Sequence, residues 1–206
     1  KFKDNRSLIR IPVNQPLHLP ERNLLLDPYL YGYWLGNGSA TKPEITVRDS
    51  DVEDLIPLIP YPLHNRYPQT CGGSEILVYK ELKSILVKNF RDKVIRPEYL
   101  RASGPQRWAL LQGLMDSDGC IGTRKGQGVY VSTIQKLAES VQELLWSLGI
   151  KNAMTSCPST RYGETTGETL YQIRFTAFTD QPVSKLHRKS IRRREREKKT
   201  RSCFHY

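Results

Sequence analysis

Two apolar segments stand out along the chain. Pro28-Tyr-Leu-Tyr-Gly-Tyr-Trp-Leu-Gly-Asn-Gly38 is preceded by Asp27. An Asp cap, a proline at the first helical position and a closing glycine predict a helix of about three turns. Pro105-Gln-Arg-Trp-Ala-Leu-Leu-Gln-Gly-Leu-Met-Asp-Ser-Asp-Gly119 repeats the form, entered by proline and closed by an acidic residue and glycine. Both are mostly apolar.

The segments after the two helices are also alike. Glu44 to Arg48 alternates apolar and polar residues and leads into a helix from Asp51. Gly128 to Thr133 does the same before Gln135–Gly149, whose Leu137, Val141, Leu144, Leu145 and Leu148 form one stripe. Strand and helix signals return in each half: Glu75–Tyr79 before Glu81–Phe90, and Thr169–Phe175 before a helix from Pro182 to Lys199. The offset of 81 residues between Asn37 and Asp118 suits a duplicated half-domain rather than a solenoid. Residues 1–26 hold Pro12, Pro16 and Pro20 and read as an extended lead-in. Residues 27–104 and 105–190 are the expected halves, and 191–206 a basic tail.

Small residues one turn apart mark both long helices: Gly32 and Gly36 on the first, Gly113 and Ser117 on the second. Such a strip lets two helices approach closely, so these four are the expected helix interface. Side-by-side packing brings the helix C-termini, and with them positions 37 and 118, together.

Charge adds a partner to this picture. Lys and Arg number 32 against 21 Asp and Glu, a net +11. Ten basic and two acidic residues fall between Lys185 and Arg201, while the rest is nearly neutral. A basic segment on a neutral body points to a phosphate backbone, against the plainer reading of a solvated helical face. The four cysteines and four histidines lie too far apart for a zinc or redox motif. No apolar run reaches the roughly 18 residues that span a bilayer, and the first residues lack a signal-peptide core, so a soluble, cytoplasmic protein is expected.

Leu111-Gln-Gly-Leu-Met-Asp-Ser-Asp-Gly119 resembles the LAGLIDADG motif almost letter for letter, and Tyr31-Gly-Tyr-Trp-Leu-Gly-Asn-Gly38 a diverged first copy. Further similarity lies in Lys93–Leu100, in Arg101–Gln112 and in Leu137–Leu145. From about Asp27 to Lys189 the chain resembles the monomeric, two-motif LAGLIDADG homing endonucleases of the intein-encoded kind. The resemblance implies an α+β fold of two pseudo-symmetric αββαββα halves, with the motif helices at their interface and antiparallel sheets forming a DNA-binding saddle. It implies a hydrolase making a double-strand break at a long asymmetric target, with double-stranded DNA as partner of a monomer.

The resemblance places the catalytic and metal positions at Asp118 and Asn37, with Lys93 and Lys189 as basic residues beside them. Two carboxylates against negative helix ends suit a hard divalent cation, Mg²⁺ or another such as Mn²⁺ or Ca²⁺. Gln135 and Asp49 are weaker candidates for holding water, and Asp116 reads as capping or structural. For DNA contact the alternation selects Thr46 and Arg48 in the first half and Gln172 and Arg174 in the second. Loops add Arg124, Lys125, Gln127 and Arg161.

Position 37 departs from the pattern. The family has Asp there, and Asn offers a neutral oxygen that binds Mg²⁺ far more weakly. A deliberately inactivated enzyme, a naturally decayed one and a nickase all fit the sequence. So do two other functions on the same scaffold, a non-cleaving DNA-binding regulator and an RNA maturase.

Overall fold

Asp27 starts the first long helix as its sequence demands. Its carboxylate accepts from the Leu30 amide at 3.0 Å, Pro28 occupies the first turn, and α1 runs Pro28–Asn37. The second, α5 (Gly104–Ser117), opens with a capping box in which Ser103 and Gln106 satisfy one another's amides. Both helices are interior: Tyr29 to Leu35 and Leu110 to Met115 are buried without a break. The computed structural model describes residues 10–12, 15–70, 72–87, 92–123, 126–161, 164–195 and 203–205.

The two helices touch backbone to backbone. A Cβ at Gly32 would fall 2.3 Å from the Leu110 carbonyl oxygen, and one at Gly113 would fall 2.1 Å from that of Tyr29. Residues 29 and 110 are themselves counterparts, so the contact is related to itself by a local dyad between the halves. One turn on, a Cβ at Gly36 would meet Ser117 Oγ at 2.3 Å and Asp118 Cγ at 2.9 Å.

Each helix feeds an antiparallel sheet. In the first half β2 (Glu44–Arg48) pairs with β4 (Ser74–Val78), and β4 with β3 (Asn65–Pro68). In the second, β5 (Cys120–Ile121), β6 (Gln127–Ser132), β8 (Glu164–Thr176) and β7 (Asn152–Arg161) stand in that order. The isolated bridge Gly38↔Ile45 is all the first half keeps of a counterpart to β5. Short helices α2 (Val52–Leu55), α3 (Lys83–Val87) and α4 (Pro97–Leu100) complete the first half. In the second, α6 (Gln135–Ser147) lays its leucine stripe on the core and α7 (His187–Ser190) follows the sheet. The strands β1 (Arg10–Pro12) and β9 (Cys203–His205) pair with each other.

Three expectations need correction. The helix expected from Pro182 to Lys199 is only His187–Ser190 among the described residues. Asp116 accepts from Ser184 Oγ and from the amides of Lys185 and Leu186, which holds the approach to α7 extended. Beyond α7, residues 191–195 run beside Ala177–Gln181, with Arg194 N–H bonded to Ala177 O at 2.8 Å. The helix expected from Glu81 to Phe90 begins as a 3-10 turn at Lys80–Leu82 and continues as α3; residues 88–91 lie outside the described set. Arg161, read as a loop residue, ends β7, and residues 164–167 open β8; residues 162–163 lie outside the described set.

Hydrogen bonds tie the lead-in down. Arg107, fully buried, bonds Ala102 O, Ser147 O and Oγ, and Leu17 O. Arg22 exchanges both backbone groups with the Gln106 amide, and Leu26 does so with Tyr99 Oη. The lead-in thereby spans the base of both halves.

Candidate active site

The C-terminal carbonyls of a helix carry partial negative charge and lack internal partners. At the end of α1 the Lys93 ammonium takes them, donating to Trp34 O at 2.7 Å and Gly38 O at 2.6 Å, with Leu35 O at 3.4 Å. At the end of α5 Lys189 does the same, to Met115 O at 2.7 Å, Asp116 O at 2.8 Å and Gly119 O at 2.7 Å. Residues 34, 35 and 38 are the counterparts of 115, 116 and 119. The two lysines therefore occupy equivalent places about the local dyad. Burial brings each ammonium down to about 8, against an attraction to Asp118 for Lys93 and to Asp116 for Lys189. Lys93 adopts φ +51°, a left-handed conformation that costs a side-chain-bearing residue on the order of 1 kcal/mol or more. Its ammonium also lies 4.7 Å from the Trp34 ring.

Asp118 caps α5 between these cations, against Gly36 of the facing helix. One side of it is open to solvent. The protein crowding its other sides raises the carboxyl above its ordinary range, while Lys93 and then Lys189 pull it back. Asn37 closes α1, half-buried. The helix crossing thus brings the ends of both motifs together, with one carboxylate, one amide and two ammonium groups around them. Gly38 is required by close approach, since a Cβ there would sit 2.0 Å from the Trp34 ring. Among the described residues no group of three or more His, Cys, Asp or Glu could hold a metal ion.

Asp116 takes no part in this opening. It is buried and accepts from Tyr29 Oη at 2.9 Å as well as from the three donors before α7. Burial raises its pKa, and those donors oppose the rise. A further pair is invisible in the sequence. Arg188 grips the buried Asp51 with Nε and Nη2 at 2.6 to 2.9 Å, which ties the segment bearing Lys189 to the first half.

The sheet faces divide as the alternation requires. Ile45 and Val47 are buried, leaving Thr46 half-buried and Arg48 exposed on the other face of β2. Tyr67, opposite Ile76 on the unexpected strand β3, reaches Glu44 on that face and donates to it at 2.8 Å. In the second sheet Ile173 and Phe175 point inward, and Arg174 and Gln172 bond each other at 2.7 Å on the outer face. Gln127 is exposed opposite Thr176. Arg161 ends β7 opposite Glu164; Arg124 and Lys125 lie outside the described residues. Gln135 is exposed and bonded to Glu139 and Tyr171.

Residues 105–199 match the family model of the LAGLIDADG-like domain. The same helix end and lysine cradle are built again around residues 34–38. The second half of the chain is a LAGLIDADG-like domain. It is 34% identical over 180 residues to a replicative DNA helicase DnaB of Mycobacterium intracellulare, covering 87% of this chain and 28% of that protein. A DNA polymerase of Thermococcus hydrothermalis is 28% identical over 137 residues, 60% of this chain and 8% of the polymerase. The chain therefore spans well under a third of either relative. Among solved structures the LAGLIDADG fold is matched by mesophilic variants of the homing endonuclease I-DmoI, at a TM-score of 0.50, 15% identity, and 74% and 88% coverage of the two chains. I-DmoI in complex with DNA and Ca matches at 0.51 and 14% identity, over 74% of this chain and 83% of that one. A further I-DmoI complex holds its target DNA in the presence of Mn. No helix among the described residues is long and apolar enough to cross a membrane.

Proposed function

We propose that the chain is a site-specific DNA endonuclease hydrolysing phosphodiester bonds at a long asymmetric target, with one of its two equivalent positions weakened by Asn37. The observation that carries this reading is the pair of lysine-capped helix ends brought together with Asp118 between them. A duplex lying across both sheets presents its phosphates to that point. One chain supplies both helix ends, so one monomer suffices per duplex.

The donor set fits a hard divalent cation. Asp118 would offer a carboxylate and Asn37 an amide oxygen to an all-oxygen sphere of the kind Mg²⁺ prefers. Such an ion lowers the pKa of a water and offsets charge at the leaving oxygen. In hydrolysis a water oxygen bonds to phosphorus, a P–O ester bond breaks, and the departing sugar oxygen gains a proton. Asp118 would hold such an ion; Lys93 and Lys189 keep the helix ends from repelling the incoming phosphate. Asn37 removes one negative charge from this sphere, which costs on the order of 10²–10³ in rate. The helicase and polymerase relatives, of which this chain matches a minor share, support an intein-encoded segment of a longer protein.

Asn37 favours a second reading, a DNA-binding regulator that no longer cuts. One experiment separates the two. The chain and its Asn37→Asp variant are selected on a randomised duplex library, and the recovered target is then offered in a plasmid with Mg²⁺. The nuclease reading requires linear product from Asn37→Asp at least 100-fold faster than from the parent. Tight, sequence-specific binding with no break from either protein makes the chain a regulator, and displacement of the duplex by a competing pool of folded RNA makes it a maturase.

A further inference from the structure

Three buried tyrosines of the core have partners for their hydroxyls. Tyr29 donates to Asp116 at 2.9 Å, Tyr31 to Val94 O at 2.9 Å and Tyr99 to Leu26 O at 3.1 Å. Tyr130 on β6 differs. It is fully buried, and its Oη has no hydrogen-bond partner among the described residues. Tyr79 Oη shares that condition, but the two phenols stand in different surroundings. Burial alone raises the Tyr79 phenol above its ordinary value; burial and then the Asp118 charge raise that of Tyr130.

The strand register puts Tyr130 beside the candidate active site. Cys120 pairs with Val129 and Ile121 with Gly128, so the next position outward sets Gly119 opposite Tyr130. Gly119 follows Asp118 directly, and its carbonyl is one of those held by Lys189. In the first half the bridge Gly38↔Ile45 is the equivalent pair, which makes Ile45 the counterpart of Tyr130. Both side chains are fully buried, and only one carries a hydroxyl. The half that keeps a carboxylate at its helix end has the phenol, and the half that ends in Asn37 has an aliphatic chain.

A buried hydroxyl without a partner has given up its bonds to water and gained none in return, a loss that phenylalanine in the same space avoids. Stability therefore does not account for the oxygen of Tyr130. Two polar groups too far apart for a direct hydrogen bond are suited to sharing a water. We infer that Tyr130 is a positioning residue for Asp118, its hydroxyl donating to a water that in turn donates to one carboxylate oxygen. The other oxygen then faces the opening between the helix ends, and the carboxylate loses its freedom to rotate. The inference rests on the nuclease reading above and concerns the second half alone, since Ile45 can hold no such water.

The test compares Asn37→Asp with the double variant Asn37→Asp, Tyr130→Phe, both as full-length chains on the selected duplex. Phenylalanine keeps the ring and removes only the oxygen, so the urea midpoint should be unchanged or higher and duplex affinity unchanged. Strand-resolved cleavage should fall roughly tenfold to 100-fold on one strand, the usual consequence of removing a group that orients a reacting carboxylate, and less than about twofold on the other. Equal rates for the two proteins, equal slowing of both strands, or a lowered urea midpoint would overturn the role given to Tyr130. A failure of Asn37→Asp to cut at all overturns the nuclease reading instead. A second measurement needs no variant. A high-resolution crystal structure of the chain should show one ordered water within hydrogen-bond distance of both Tyr130 Oη and the Asp118 carboxylate, and an Oη without that water contradicts the inference.

Discussion

Replacing Gly113 by alanine tests whether the two halves are joined as described. The new methyl group would lie 2.1 Å from Tyr29 O and 2.6 Å from Tyr33 N. Both are backbone atoms of a helix buried on every side, so neither can swing away, and α1 has to withdraw by about 1 Å to restore ordinary contact. Overpacking of this kind costs about 1–3 kcal/mol, occasionally more, against which alanine regains up to about 1 kcal/mol of helix propensity over glycine. With two backbone atoms obstructing, we place the net loss near 2 kcal/mol, a fall of roughly 5 °C in Tm for a chain of this size. Gly32→Ala, blocked by Leu110 O at 2.3 Å, should behave alike. Gly104→Ala is the control: it sits in the first turn of α5 with nothing within 4 Å of a new Cβ. Urea denaturation followed by circular dichroism reads all three. Gly113→Ala and Gly104→Ala equal within about 0.5 kcal/mol would refute the close crossing of the helices.

The same geometry sets other outcomes. With Lys93 and Lys189 brought down to about 8, both ammonium charges are present below that pH and lost above it, so cleavage by the Asn37→Asp variant should decline from about pH 8 upward. Unfolding does not cause that decline. Between about 8 and the ordinary lysine value of 10.5 the unfolded chain holds more protons than the folded one, so these two groups make stability rise with pH; a rate still climbing through pH 9.5 contradicts the role given to the lysines. Arg188→Met leaves the buried Asp51 carboxylate unpaired and should cost about 2 kcal/mol, less than for a fully buried pair because Arg188 is about one-third exposed. Adding Asp51→Asn should recover part of that loss, and a first substitution without effect in urea would show the pair to be incidental. Deleting residues 196–206, which hold Arg196, Lys198, Lys199 and Arg201, should flatten the slope of log K against log salt by about 0.9 for each phosphate contact removed. An unchanged slope would make that segment a solvated one.

Features encoded by neighbouring residues were legible in the sequence: Asp27 and Pro28 opening α1, the glycine strips, and the outward placing of Gln172 and Arg174. Long-range features were not. Asp51 and Arg188 stand 137 residues apart, and nothing near either announces the other. Lys93 and Lys189 come from the family resemblance and not from spacing, because they reach equivalent helix ends from unequal distances, 55 residues past Gly38 and 70 past Gly119. Part of that difference is the longer β7–β8 hairpin, whose polar residues lack the burial that makes alternation visible. The basic run from Lys185 reads in sequence as a helix offered to a phosphate backbone, yet Asp116 holds its approach extended, Lys189 is buried on a helix end, and Arg188 is committed to Asp51. Its charge is partly structural.

The measurement that bears most directly on the central claim is strand-resolved cleavage of the selected duplex, each strand end-labelled in turn, in Mg²⁺. Asn37→Asp should cut both strands, and adding Asp118→Asn to it should suppress cutting by at least 100-fold while leaving affinity for the duplex unchanged. Equal cutting by the two variants, or a fully acidic pair that grips the duplex and leaves both strands whole, would contradict the assignment of the helix ends as the active site.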